Sequence, residues 1–278
     1  MLALIGSTDW QSKSLFNSPL RRRLGRIGLL LTQEGRLMAQ SYSARSRAIE
    51  PFHVMALLAR ANELQAAGHD VIHLEIGEPY FTTAEPIIAA GQAALAAGKT
   101  RYTAARGLPE LREAISGFYQ QRYGLDIDSS RILITPGGSG ALLLASSLLV
   151  DPGKHWLLAD PGYPCNRHFL RLVEGAAQLV PVGPEVRYQL TADLVERYWD
   201  QDSVGALVAS PANPTGTILS RDELASLSAA IKARNGHLVV DEIYHGLTYG
   251  CDAASVLEVD DSAFVLNSFS KYFGMTGW

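Results

Sequence analysis

Apolar residues recur along this chain in two rhythms, one of about 3.6 residues and one of 2, and the change from one to the other predicts its elements. After Pro51, Val54, Leu57, Leu58 and Leu64 fall at helical spacing as far as Gly68. Residues 71–76 (VIHLEI) alternate as a strand, and further helices are expected near 86–97 and over 108–123, the latter with Pro109 in its first turn. From Arg131 onward the rhythm is stricter. Strands over 131–135, 155–160, 177–182, 205–210, 237–241 and 263–268 are separated by helices over 139–149, 165–174, 190–198 and 221–234. Short apolar strands alternating with helices predict an α/β fold, a three-layer αβα arrangement whose mostly parallel sheet is covered on both faces.

Polar chemistry gathers at the strand ends. There stand Gly137-Gly138-Ser139-Gly140, Asp160-Pro161-Gly162-Tyr163, Ala212-Asn213-Pro214-Thr215-Gly216, Asp241-Glu242-Ile243-Tyr244 and Ser268-Phe269-Ser270-Lys271. In open α/β sheets ligands bind beyond the carboxyl ends of the strands, so five strands aim these groups at one crevice. Gly138-Ser139-Gly140, between a strand and a helix, suits an anion such as phosphate or is an ordinary glycine-rich turn. It is not a dinucleotide fingerprint, because Leu143 stands where the third glycine belongs. Asp241, ending the run Leu238-Val239-Val240, needs a cationic or strong donor partner; with Glu242 it could alternatively suggest a metal site. Lys271 follows a buried strand. It is either solvated, or desolvated and held as the neutral amine that attacks carbonyls.

Composition narrows the function classes. Of 278 residues 47% are apolar and 19% charged, enough for a sizeable core and contrary to disorder. Lys and Arg number 24 against 28 Asp and Glu, a net charge of −4, and Arg21-Arg22-Arg23 is the one basic block, which argues against nucleic acid as a partner. Two cysteines, Cys165 and Cys251, form neither a disulfide framework nor a metal motif, so a cytoplasmic location is the default and no metal is expected. No apolar run reaches the roughly 18 residues that span a membrane. Arg21–Arg26 and the five apolar residues after them faintly imitate an export signal, but the run is shorter than the roughly 7–15 residues such a core needs. Residues 1–40 are therefore expected to be a poorly structured extension, with Met38 a plausible start.

Taken together, a phosphate cradle, a buried carboxylate, two oxygen donors, an aromatic ring and a lysine match the polar features of pyridoxal 5′-phosphate. Asn213-Pro214-Thr215-Gly216, Asp241-x-x-Tyr244 and Ser268-x-x-Lys271, in that order, make the chain from about residue 46 resemble the fold-type I pyridoxal-phosphate aminotransferases of the aspartate and aromatic branch. The resemblance implies that Lys271 forms the Schiff base and moves the substrate proton. It implies that Asp241 pairs with the ring N–H, that Asn213 and Tyr244 bind the ring oxygen, and that Tyr163 stacks on the ring. It assigns Gly138, Ser139, Gly140 and Ser268 to the phosphate, Tyr102 to the phosphate of a neighbouring subunit in a homodimer, and Gly77 to a backbone contact with substrate. The implied reaction exchanges an amino group between an amino acid and a 2-oxo acid. Alternatives are a C–S lyase or decarboxylase on the same cofactor, or a non-catalytic remnant that at most binds it. The resemblance divides the chain into the extension 1–40, an N-terminal arm and partial small domain over 41–98, and a large cofactor-binding domain over 99–278. It also implies that the chain stops at Trp278 before a phosphate-binding arginine, a further strand and the rest of the small domain. A chain ending there is expected to lack its substrate clamp.

Overall fold

A central parallel sheet carries the candidate site. In the computed structural model, residues 43–49, 53–74, 76–77 and 81–278 are described; the expectations for the extension 1–40 lie outside them. Helices α1 (Ala44–Ala48), α2 (His53–Ala66), α3 (Glu85–Ala96) and α4 (Pro109–Tyr123) precede the sheet. Then α5 (Gly137–Leu149), β1 (His155–Asp160), α6 (Asn166–Leu172), β2 (Ala176–Pro181), α7 (Ala192–Tyr198), β3 (Ser203–Ala209), α8 (Arg221–Lys232), β4 (His237–Asp241) and β5 (Phe264–Leu266) follow. The strands lie in the order β2-β1-β3-β4-β5, every neighbouring pair parallel.

Alternation along each strand divides the core into two layers. Leu157, Ala206, Val208, Leu238 and Val240 face one side, where Val195 of α7 and Leu224, Leu227 and Ile231 of α8 cover them. Trp156, Leu158, Leu207 and Val239 face the other, under Leu142 and Ala145 of α5 and Leu170 of α6. This is the period-2 pattern of a sheet buried on both faces. Each of these fully buried aliphatic chains contributes about 1.5–3 kcal/mol of transfer free energy.

Local chemistry sets the helix ends. Pro109 opens α4 at a position whose N–H has no helical partner, and Gly124 closes it in the left-handed region (φ 71°). Ser220 and Glu223 form a reciprocal capping box at the start of α8. Where β3 and β4 meet, a Cβ on Gly205 would stand 2.4 Å from the His237 carbonyl oxygen and 2.9 Å from the Trp156 ring nitrogen. Gly205→Ala is therefore expected to cost about 1–3 kcal/mol in urea denaturation, because backbone in a close-packed core yields little.

Two expected strands do not form among the described residues. Residues 71–74 form no ladder with any described strand, and Ile72 and Leu74 are 82% and 88% exposed. Over 131–135, a 3₁₀ turn at Ser129–Arg131 leads into extended backbone that joins no sheet, and the Ile134 N–H donates to the Arg106 carbonyl at 3.1 Å. A strand is a property of a pair, and apolar alternation does not supply a neighbour. Helix α6 and strand β5 are shorter than expected, and β5 ends before the turn that bears Lys271. No helix among the described residues is long and apolar enough to cross a membrane.

Candidate active site

The strand order reverses between β1 and β3, and a crevice of about 140 Å³ opens beyond their carboxyl ends. Asp160, Tyr163, Tyr188, Gln189, Ala209 and Asn213 are among its walls.

Asn213 stands in a turn closed by Ala212 N–H to the Thr217 carbonyl (2.9 Å) and Gly216 N–H to the Ala212 carbonyl (2.8 Å), with Gly216 at φ 68°. Its amide nitrogen donates to the Tyr244 hydroxyl at 3.4 Å. Asp241 closes β4, and its Oδ1 accepts the Ile243 N–H at 3.0 Å. Burial pushes the Asp241 carboxyl up to about 6, and the Ile243 hydrogen bond opposes the rise in part. No cationic side chain among the described residues pairs with it.

The Tyr244 phenol is also raised, first by burial and then by the Asp241 charge, while the Asn213 amide pulls it down. The Tyr163 phenol is raised by burial, by its hydrogen bond with Cys165, and then by Tyr244 and Asp241. Tyr163 and Asn213 both line the crevice, and the Asn213 amide brings the Tyr244 hydroxyl to its edge.

Gly138, Ser139 and Gly140 lie in the first turn of α5, which has no side-chain cap; the Gly137 N–H before them donates to the Thr135 carbonyl at 2.7 Å. A Cβ on Gly138 would meet Ile243 at 3.8 Å, so this turn borders the Asp241–Tyr244 segment. A Cβ on Gly140 would stand 3.1 Å from Pro136 and 3.3 Å from Thr135, so a small residue is needed there.

Lys271 follows β5 in a turn, as expected, five residues past the strand; it is half-buried, and its Nζ donates to the Gly77 carbonyl at 3.5 Å. Its turn is held by Ser268, whose Oγ contacts the Ser270 hydroxyl at 2.8 Å and accepts the Ser270 N–H at 3.0 Å. The Phe273 ring packs on Phe269, Tyr272 and the Phe118 ring of α4 at 5.6, 5.0 and 6.0 Å.

The fold thus gathers Asn213, Asp241, Tyr244 and Tyr163 around one space, sets the α5 turn beside them, and joins Lys271 to Gly77. Tyr102 is fully exposed on a loop.

Sequence reasoning missed the support beneath the site. Glu242 is fully buried and bonds away from the crevice, its Oε1 accepting from the Ser255 hydroxyl (3.0 Å) and the Val256 N–H (2.8 Å). Asp241 and Glu242 therefore serve different partners and do not form a joint metal-binding pair. His245, also buried, meets the Tyr123 hydroxyl at 2.7 Å and the Ser210 carbonyl at 3.0 Å. The period-2 count gave no signal for Glu242 over Asp241, because β4 is buried on both faces, with Leu238 and Val240 on one and Val239 on the other.

The family described as aminotransferase class I and II matches residues 69–278. The chain is 40% identical over 232 residues to a valine–pyruvate aminotransferase of Mycobacterium tuberculosis, covering 83% of this chain and 60% of that protein. Among solved structures, an aminotransferase from Mycobacterium tuberculosis superposes with a TM-score of 0.83 at 38% identity, covering 86% of this chain and 62% of the other. An aspartate aminotransferase from Thermus thermophilus with maleate gives a TM-score of 0.82 at 32% identity, covering 86% and 63%. The chain spans about 60% of the length of the curated relatives it matches.

Proposed function

This chain belongs to the class I and II aminotransferase family, and from that premise we propose that it binds pyridoxal 5′-phosphate and moves an amino group between an amino acid and a 2-oxo acid. The observation that carries the reading is Asp241, a carboxylate raised by burial to about 6 with no cationic side chain beside it. Such a site favours a cation that arrives with its own N–H, as a protonated pyridine does. When bound, the cofactor supplies the electron sink that lets a Cα–H proton leave.

The chain's own groups divide the remaining work. Asn213 and Tyr244 present an amide and a phenol that can donate to one oxygen. Tyr163 offers a ring face, and the α5 turn with Ser268 offers donors to a phosphate. Lys271 supplies the attacking amine and then carries the substrate proton. Gly77 gives a backbone contact to substrate, and Tyr102, exposed as it is, reaches the site of a second copy in a homodimer. The two free cysteines are in keeping with a cytoplasmic location.

Attachment tests the reading. Soluble chain treated with pyridoxal phosphate and then borohydride is expected to carry one label, on Lys271. Lys154 and Lys232 are engaged in ion pairs with Asp202 and Asp260. Label on either of them with Lys271 unmodified would overturn the assignment. A panel of amino donors offered with 2-oxoglutarate then defines the substrate class.

A further inference from the structure

Beneath the crevice, one imidazole joins three separate parts of the chain. His245 sits on the turn after β4, beside Tyr244. Its Nε2 contacts the carbonyl of Ser210, the residue after β3 and three before Asn213, at 3.0 Å. Its Nδ1 contacts the Tyr123 hydroxyl of α4 at 2.7 Å. A carbonyl only accepts, so Nε2 carries the hydrogen; in the neutral ring Nδ1 then accepts from Tyr123. Ser210 is fully buried and fixed on its other atoms too: its N–H donates to the Asp241 carbonyl and its Oγ accepts the Leu219 N–H, both at 3.0 Å.

We propose that His245 is a positioning residue for the cofactor's ring-oxygen contact: by holding Ser210 through Nε2–H it fixes the Asn213 amide against the Tyr244 hydroxyl. This rests on the cofactor reading above for its purpose, but not for its geometry. Of the two loops that must present donors to one oxygen, each is anchored to its own strand. The imidazole adds a buried side-chain tie between the two loops to the Ser210 N–H bond to the Asp241 carbonyl, and Tyr123 stops it from turning about its own axis.

The groups around the ring favour the neutral form that this arrangement uses. Burial pushes the imidazole down to about 4, and the Arg122 charge on α4 adds to that. Glu242 Oε2 stands 3.7 Å from Nδ1, and burial pushes its carboxyl up to about 8, toward the uncharged form. Tyr119 and Tyr123 of α4 are phenols pushed upward by burial, and Asp241 and Glu258 act on Glu242 to raise it further.

The test reads Tyr244 directly, without cofactor, in chain labelled with ¹³C at tyrosine Cζ and assigned by Tyr244→Phe. Asn213→Ala sets the size and direction of the shift when the amide is lost. His245→Phe is expected to reproduce most of that shift, and Tyr123→Phe a smaller one in the same direction. His245→Gln keeps a donor for Ser210 and an acceptor for Tyr123, and is expected to leave the signal near wild type. A Tyr244 signal unmoved in His245→Phe, or moved equally in His245→Gln, would overturn the proposal. Should His245→Phe not fold, Tyr123→Phe and His245→Gln decide in the same way. Loaded with pyridoxal phosphate, the phenylalanine variant is expected to bind about tenfold more weakly, the scale of one lost hydrogen bond. If wild type takes up no cofactor, the functional reading fails while the tyrosine comparison still decides this one.

Discussion

Replacing Glu242 by glutamine is expected to stabilise the chain at pH 9 by roughly 3–5 kcal/mol and to change little near pH 4, a reversal of the usual cost of altering a buried polar residue. The reason is the raised carboxyl. Burial lifts it from 4.5 to about 8 in the folded chain. A group raised in the folded state contributes stability that is present in full below its unfolded value and is lost as pH rises through its folded value. Wild type therefore loses this contribution between about 4.5 and 8, whereas the amide, neutral throughout, does not. Glutamine also keeps an oxygen for Ser255 and Val256 where Oε1 now accepts. His245 works in the opposite sense: lowered to about 4, it contributes stability that is lost as pH falls from its ordinary 6.5. Asp241, raised from 3.8 to about 6, opposes the histidine slope in both proteins alike, so the difference between the two curves reports Glu242. Urea midpoints from pH 4 to 9 check this. Parallel curves for the two proteins would mean that Glu242 is ionised in the fold at neutral pH.

The second large effect concerns Asp241. Asp241→Ala is expected to leave pyridoxal phosphate reducible onto Lys271 but to slow amino-group transfer by about 10²–10⁴-fold, the scale on which one positioned proton partner acts. The alanine keeps the backbone of β4, and it removes the charge that favours a protonated pyridine over a neutral one. Single-turnover reaction with saturating amino acid separates this from weaker binding. A rate within about threefold of wild type, well under that scale, would mean that another group holds the ring.

How far the sequence could be read depended on whether a feature was local. Strands β1 and β4 lie where the apolar runs predicted, because a strand buried on both faces declares itself by continuous hydrophobicity. The turns holding Asn213, Asp241 and Lys271 follow from strand ends and could be placed at once. Residues 71–74 and 131–135 have the same apolar character but no ladder in the structure, since pairing depends on a neighbour that the segment does not encode. Glu242 and His245 were hidden for a related reason. Their burial is created by α4 and by the turn at Val256–Glu258, which arrive from distant parts of the chain. Acidic and basic letters in a row read as solvated loop until those contacts are known.

The order β2-β1-β3-β4-β5 also prescribes how the molecule can assemble as it leaves the ribosome. β1 and β2 emerge first and can pair with each other. β3 then joins the open side of β1, β4 joins β3 and β5 joins β4, always at the same growing edge and always in the order of synthesis. No strand has to be inserted between two that are already paired, which spares the nascent chain a rearrangement. Gly138 and Lys271 are separated by nearly half the chain. The glycine-rich turn of α5 is therefore synthesised well before the turn that bears Lys271. On the function proposed above, the donors assigned to phosphate would be present in the nascent chain before the amine assigned to the covalent bond.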